Sequence, residues 1–522
     1  QQLNAAQNGG AISFTQSDAR RNTKLTFTSC LFDQNTAIDG SALYIDIRAQ
    51  LNVIECNFTS NNNNNLNKVG GGCIFITSNC RNINIESTEF HQNTQTSTAS
   101  TGNAIYFQNQ NQLVGRVQDC KFINCGTKGS VVYSDGVDLE FYGNTISFTE
   151  SENGCKGLHV PKSCNIHIAN STFIGCTETA GTAGGAFVYD SKNDLSDLGL
   201  ITLENTIFED NNATNGCALM VTTNENPIIR DLIVRKHKNG NFIFTIFFTK
   251  AFEEEAVIER CTFEDNSFNT KSESSPDGGG AGIWVSQTSA STTPVTFAEC
   301  TFKKNYASKY GGAMAFGQSN TLRQVQLTYQ KCTFVDNIAG NDGGALWINT
   351  ESLFVIDDCD FISNTVNNEN GKGNAIILKS RTTSIITDTT IVNNGMKGSA
   401  IVFEGKVISA LDSTIEFDNV NESCRGIEFR NKATIELEGC TFLRCNAYNT
   451  ENGEGGGIFY HEEIANNLEL VFSLDSCVFD SNDALNGSAL LLNISTAPEI
   501  YGCTFKNHQS GSFIFSIVFS MF

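Results

Sequence analysis

Apolar and polar residues alternate with a period of two in short runs, as in Ala313-Met314-Ala315-Phe316 and Cys332-Thr333-Phe334-Val335, which predicts strands rather than helices. No 3.6-residue pattern persists anywhere along the chain. The runs come in two kinds that recur roughly every 30 residues. One opens with a glycine turn, as at Gly9-Gly10-Ala11, Gly40-Ser41-Ala42, Gly102-Asn103-Ala104, Gly184-Gly185-Ala186, Gly311-Gly312-Ala313 and Gly343-Gly344-Ala345. The other has the form C-x-F-x-x-N, as from Cys30 to Asn35, Cys300 to Asn305, Cys332 to Asn337 and Cys359 to Asn364. A unit of this length cannot bury its apolar face alone, so copies must stack.

With two to three short strands per turn and no room for a helix, the expected fold is all-β, a single-stranded right-handed parallel β-helix. Counting degenerate copies of the glycine element, such as Lys156-Gly157-Leu158 and Arg425-Gly426-Ile427, gives about eighteen coils. Cys and Phe of C-x-F fall on one side of the strand, so both are expected inside. Phe32, Phe58, Phe302, Phe334, Phe361 and Phe442 should therefore stack along the core. The Asn three places after Phe should form an amide ladder at a bend.

A longer period overlies the short one. Gly9, Gly40, Gly102, Gly184, Gly216 and Gly240 return as Gly280, Gly311, Gly373, Gly455, Gly487 and Gly511, an offset of roughly 271 residues. The chain thus reads as two tandem nine-coil blocks, 1–271 and 272–522, joined without a linker. Neither end carries a recognisable cap helix, and the second block closes on the apolar stretch Phe513 to Phe522. The expected assembly contact is head to tail, with Phe513, Phe515, Ile517, Phe519 and Phe522 against the coil that begins at Gln1 of a neighbouring subunit, or else against a further block of the same polypeptide.

The alternation of G-G-A-[IL] with F-x-x-N resembles the repeat of the chlamydial polymorphic outer-membrane proteins and of large protist surface proteins, within the pectin-lyase-like β-helix group. The resemblance spans nearly the whole chain and implies the fold. The residues that carry it, Phe32, Asn35, Gly40, Phe334, Asn337 and Gly343, are structural, so it implies no catalytic site.

Composition narrows the class further. The chain is 40% hydrophobic, with 38 Phe and two Trp, enough for a continuous core. A net charge of −22 argues against nucleic acid and anionic membrane surfaces as partners. Phe242 to Phe248 and Phe513 to Phe522 are too short for transmembrane segments. Nineteen cysteines point to an oxidising compartment, with disulfides expected between ladder neighbours: Cys300, Cys332 and Cys359, or Cys30 and Cys56. Six sequons are candidate N-glycosylation sites: Asn57, Asn170, Asn212, Asn421, Asn486 and Asn493.

No catalytic constellation stands out. Asp357-Asp358 is the best carboxylate pair, followed by Glu253-Glu254-Glu255, and neither has a neighbouring His. Arg430-Asn431-Lys432 reads as a solvated basic turn. His237 and His508 occupy Asn-ladder positions, where a structural swap outweighs a catalytic base. Zinc lacks a ligand pattern, calcium near Asp265 and Asp277 is a minor alternative, and no cofactor is expected. The leading expectation is a secreted, glycosylated, non-enzymatic rod or filament protein. A surface adhesin or glycan-binding β-helix is the alternative, and a polysaccharide lyase or hydrolase the third reading.

Overall fold

The computed structural model describes residues 8–519 apart from 16–22, 65–70, 96–100, 109–113, 150–153, 179–183, 191–198, 214, 239–241, 251–253, 269–278, 288–292, 318–324, 369–370, 396, 420–422, 432, 449–452, 465–470, 495 and 509–512. Two compact units, Gln1–Lys250 and Ala251–Phe522, divide the chain. Each is a parallel β-solenoid.

Successive coils of the first unit contribute strands to three long sheets. One such coil supplies Leu43–Asp46, Ala49–Ile54 and Asn57–Thr59. These pair in register with Ile74–Ile76, Asn82–Glu86 and Glu89–His91 of the next coil. The second unit repeats the scheme, with Met314–Gly317, Val325–Gln330 and Thr333–Val335 lying under Leu346–Asn349, Phe354–Asp357 and Asp360–Ile362.

In-register stacking turns each inward position into a column. Phe32, Phe58, Phe90 and Phe122 stack with centroids 4.6, 4.9 and 4.8 Å apart. Phe302, Phe334 and Phe361 do the same at 4.8 and 4.5 Å. All six phenylalanines assigned inward by the sequence pattern are buried. Each stacked pair contributes about 0.5–1.5 kcal/mol beyond its area burial.

The asparagines form the expected ladder. Asn61 Nδ2 donates to Asn93 Oδ1 at 2.9 Å and to the Phe32 carbonyl at 2.9 Å, so the amide links coils on both sides. Asn305, Asn337, Asn364 and Asn394 repeat this in the second unit. The residue before each ladder Asn is left-handed, as at Gln34 (φ 55°), Ser60 (φ 51°) and Asp336 (φ 53°). That conformation costs a non-glycine residue about 1–2 kcal/mol, which the hydrogen bonds of the ladder offset. At the glycine corner the requirement is steric as well. Gly311 has φ 63°, and a Cβ on Gly312 would collide with the Gly344 carbonyl of the next coil.

The expected disulfides are not formed: all nineteen cysteines are free thiols, and all but Cys30 and Cys503 are buried. The Cys column is a second hydrogen-bond ladder. Cys56 Sγ accepts from the Cys30 N–H at 3.4 Å and donates to the Ile54 carbonyl at 3.3 Å. Thr88 and Ser171 do the same work in their coils. Cys332 and Cys359 are joined by a 3.3 Å N–H···S bond instead of a disulfide. Parallel in-register strands hold equivalent Cβ atoms one strand spacing apart, about 4.8 Å, whereas a disulfide needs about 3.5–4.5 Å. Burial pushes the Cys120 thiol of this column up to about 12.

Candidate functional site

Outward residues of neighbouring coils form rows for the same reason that inward ones form columns. On the middle sheet of the first unit, Asp138–Tyr142, Ile166–Ala169, Ile201–Glu204 and Ile228–Arg230 lie side by side. Leu139, Phe141, Ile166, Ile168 and Leu203 point into the core, and the alternate residues face out. Tyr142, Ala169, Glu204 and Arg230 therefore share a row, next to one containing Glu140, His167, Thr202 and Ile228.

Ala169 leaves a gap in its row, and His167 closes it. Its Nδ1 lies 2.7 Å from Tyr142 Oη and its Nε2 lies 2.8 Å from Glu204 Oε1. Glu204 also accepts from Arg230 Nε at 2.8 Å, and the pair forms a salt bridge. Bonds from Arg230, then His167, hold the Glu204 carboxyl below its usual range. An ionised carboxylate cannot donate, so the proton between them is on Nε2. In the neutral imidazole Nδ1 is then the acceptor, and Tyr142 O–H donates to it. Burial, and then Glu140, pushes the Tyr142 phenol up, which keeps it a hydroxyl.

Beside this chain lies a pocket of about 250 Å³, lined by Tyr142 and His167 together with Val114, Asp138, Glu140 and Leu200. Asp138 accepts from the Asn165 N–H at 2.7 Å and from Asn165 Nδ2 at 3.1 Å. Glu140 is paired with Arg116 at 2.6 Å. Val114 and Leu200, 46% and 45% exposed, give the pocket apolar rims. The sequence pattern did not single out this cluster: its members are 25 and 37 residues apart and meet only through coil register.

The residues that the sequence did single out do not converge. Asp357 accepts from the Thr387 hydroxyl at 2.6 Å, while Asp358 occupies an exposed left-handed bend at φ 51°. Glu254 and Glu255 are exposed, and Glu253 lies outside the described residues. Arg430 pairs with Glu428 at 2.6 Å rather than lying free in a basic turn, and Lys432 lies outside the described residues. Asp265 is an exposed bend residue, and Asp277 lies outside the described residues. Among the described residues no group of three or more His, Cys, Asp or Glu side chains is placed to hold a metal ion.

His237 is a ladder residue. Its Nδ1 accepts from the Asn211 N–H at 3.1 Å and its Nε2 faces the Phe208 carbonyl at 3.1 Å, reproducing the two bonds of an asparagine amide. Burial lowers its pKa to about 4. His508 takes the corresponding place in the ladder of the second unit, with Nδ1 3.0 Å from the Asn482 carbonyl.

Of the sequons, Asn57, Asn170 and Asn212 are exposed, Asn486 and Asn493 are half-buried, and Asn421 lies outside the described residues. Phe513 is 62% exposed and Phe515 is also exposed, whereas Ile517 is half-buried. Gln1, Phe522 and the side chain of Phe519 lie outside the described residues. No helix among the described residues is long and apolar enough to cross a membrane.

Comparison with known proteins bears on the fold alone. The family model described as a right-handed beta helix region matches residues 103–340. No curated protein and no solved structure matches the chain. With the match, the chain is an all-β, right-handed parallel β-solenoid.

Proposed function

We propose that the chain is a non-enzymatic structural solenoid of an extracellular surface or filament, extended by stacking one coil on the next. The observation that carries this reading is the in-register stacking by which each coil completes the core of its neighbour, as Phe302, Phe334 and Phe361 do at 4.8 and 4.5 Å. Tyr501 is 76% exposed and Phe513 62%, beside exposed Ile514, Phe515 and Val518, apolar surface on which the same kind of stacking can act between copies.

The same reading gives about eighteen coils in two tandem blocks of about nine, 1–271 and 272–522. Matched hydrogen bonds support the duplication. Asn103 Nδ2 donates to the Lys128 and Ser130 carbonyls and to Cys155 Sγ. Asn374 Nδ2 donates to those of Lys397 and Ser399 and to Cys424 Sγ. N-linked glycans belong first on exposed Asn57, Asn170 and Asn212.

Sedimentation velocity of the 522-residue chain, with and without Phe513→Asp and Val518→Asp, tests the stacking. Concentration-dependent association that the two substitutions abolish is expected. A monodisperse monomer at high concentration would move the assignment to the second reading, recognition by the flank, which the pocket beside His167 favours. Polysaccharide cleavage lost in Asp357→Ala would overturn the non-enzymatic reading.

A further inference from the structure

The flank pocket of the first unit has a definite chemistry. Its charges are mostly cancelled in place: Arg116 neutralises Glu140, and Arg230 neutralises Glu204. Asp138 differs, since both of its partners are N–H groups of Asn165. A carboxylate held by neutral donors keeps its charge and repels anions.

Tyr142 supplies the second polar element. In the neutral His167 ring, whose tautomer Glu204 fixes, the phenolic hydrogen is committed to Nδ1, and the oxygen is left as an acceptor. The pocket thus offers acceptors, on Asp138, Glu140 and Tyr142, to a ligand that brings donors. Val114 and Leu200 add apolar surface at its rims. A ligand that fits has hydroxyl donors around its edge and a C–H face for aliphatic contact, and it carries no negative charge. A pyranose ring combines these properties. The volume of about 250 Å³ falls just under the roughly 300–1,000 Å³ of pockets for drug-sized ligands, which suits a single ring.

We infer that the flank pocket between Tyr142, His167 and Asp138 is a binding site for one neutral sugar residue of a glycan. The inference rests on the recognition reading of the flank and is independent of coil stacking. His167 acts as a positioning residue: it orients the Tyr142 hydroxyl and does not need to touch the sugar.

The test uses the full chain on an array of immobilised neutral, amino and uronate oligosaccharides, with saturation-transfer NMR on free glucose, galactose and mannose. Circular dichroism melts verify that each variant folds. Binding to neutral hexoses is expected, weakened at least tenfold by Tyr142→Phe, which removes only the oxygen, and by Asp138→Asn. Glu436→Gln in the second unit should leave it unchanged. Should Tyr142→Phe not fold, Asp138→Asn decides alone. No binding to any neutral sugar, a preference for uronates, or binding that both variants retain would each overturn the assignment.

Discussion

The flank that carries the pocket has a counterpart in the second unit, on the strands Val407–Leu411, Thr434–Glu438, Val471–Asp475 and Glu499–Tyr501. Inside, the two flanks are alike. Leu139, Phe141, Ile166 and Ile168 in one, and Ile408, Ala410, Ile435 and Leu437 in the other, are all buried. Outside, they share almost nothing. Where the first unit has Tyr142, His167, Glu204 and Arg230, the second has Leu411, Glu436, Asp475 and Tyr501. Ala169, whose small side chain opens the gap that His167 bridges, is answered by exposed Glu438. The inward columns must fit the coils above and below, so substitutions there cost packing energy. The outward rows meet solvent, where changes are cheap, and each unit can carry its own surface chemistry on one interior.

The largest effect that could break this comparison lies in the shared interior. Phe122→Ala and Phe334→Ala each remove a stacked ring from mid-column, and each should cost about 3–5 kcal/mol through cavity formation. Urea denaturation that finds one of them nearly neutral would mean that the interiors are not equivalent.

Acid distinguishes ladder residues within the first unit. Buried His237, with its pKa lowered to about 4, is harder to protonate folded than unfolded. Its contribution is complete above pH 6.5 and is lost as the pH falls through about 4, on the order of 3 kcal/mol in all. His237→Asn restores the ordinary ladder residue and should flatten that part of the stability curve between pH 6.5 and 4. His159, whose pKa burial and Lys156 lower to about 3, should keep its own acid dependence in that variant.

The smallest effect on stability sharpens the difference between the flanks. Giving the first unit the residues of the second, with Tyr142→Leu and His167→Glu together, should change unfolding free energy by no more than about 1 kcal/mol, since these are partly exposed groups. The same double variant should lose the neutral-sugar signal altogether.

Much of the fold was legible in particular residues. Phe32, Phe334 and Phe442 announce the inward column by their two-residue spacing from Cys, Asn61 and Asn337 announce the ladder, and Gly311-Gly312 announces the corner. The cysteines misled, because a thiol in a column reads like half of a disulfide, yet Cys56 and Cys332 serve as hydrogen-bonding groups in the place of Thr88 and Ser171. The acidic pair Asp357-Asp358 misled by adjacency: one is a strand residue and the other a bend residue, so their side chains do not work together.

By itself the sequence determined what repeats: strands, inward faces, ladders and glycine corners. These follow from local alternation and from the demand that every coil satisfy the next. Only the tertiary structure decided what meets across coils on the outside. Tyr142, His167 and Glu204 come together because loops of unequal length absorb the different numbers of residues between them, while the sheet keeps each strand in register. It also decided that residues such as Gln34, Ser60 and Asp336 take left-handed bends. Gln and Ser have no local preference for that conformation, and the hydrogen bonds of the stacked coils hold them there.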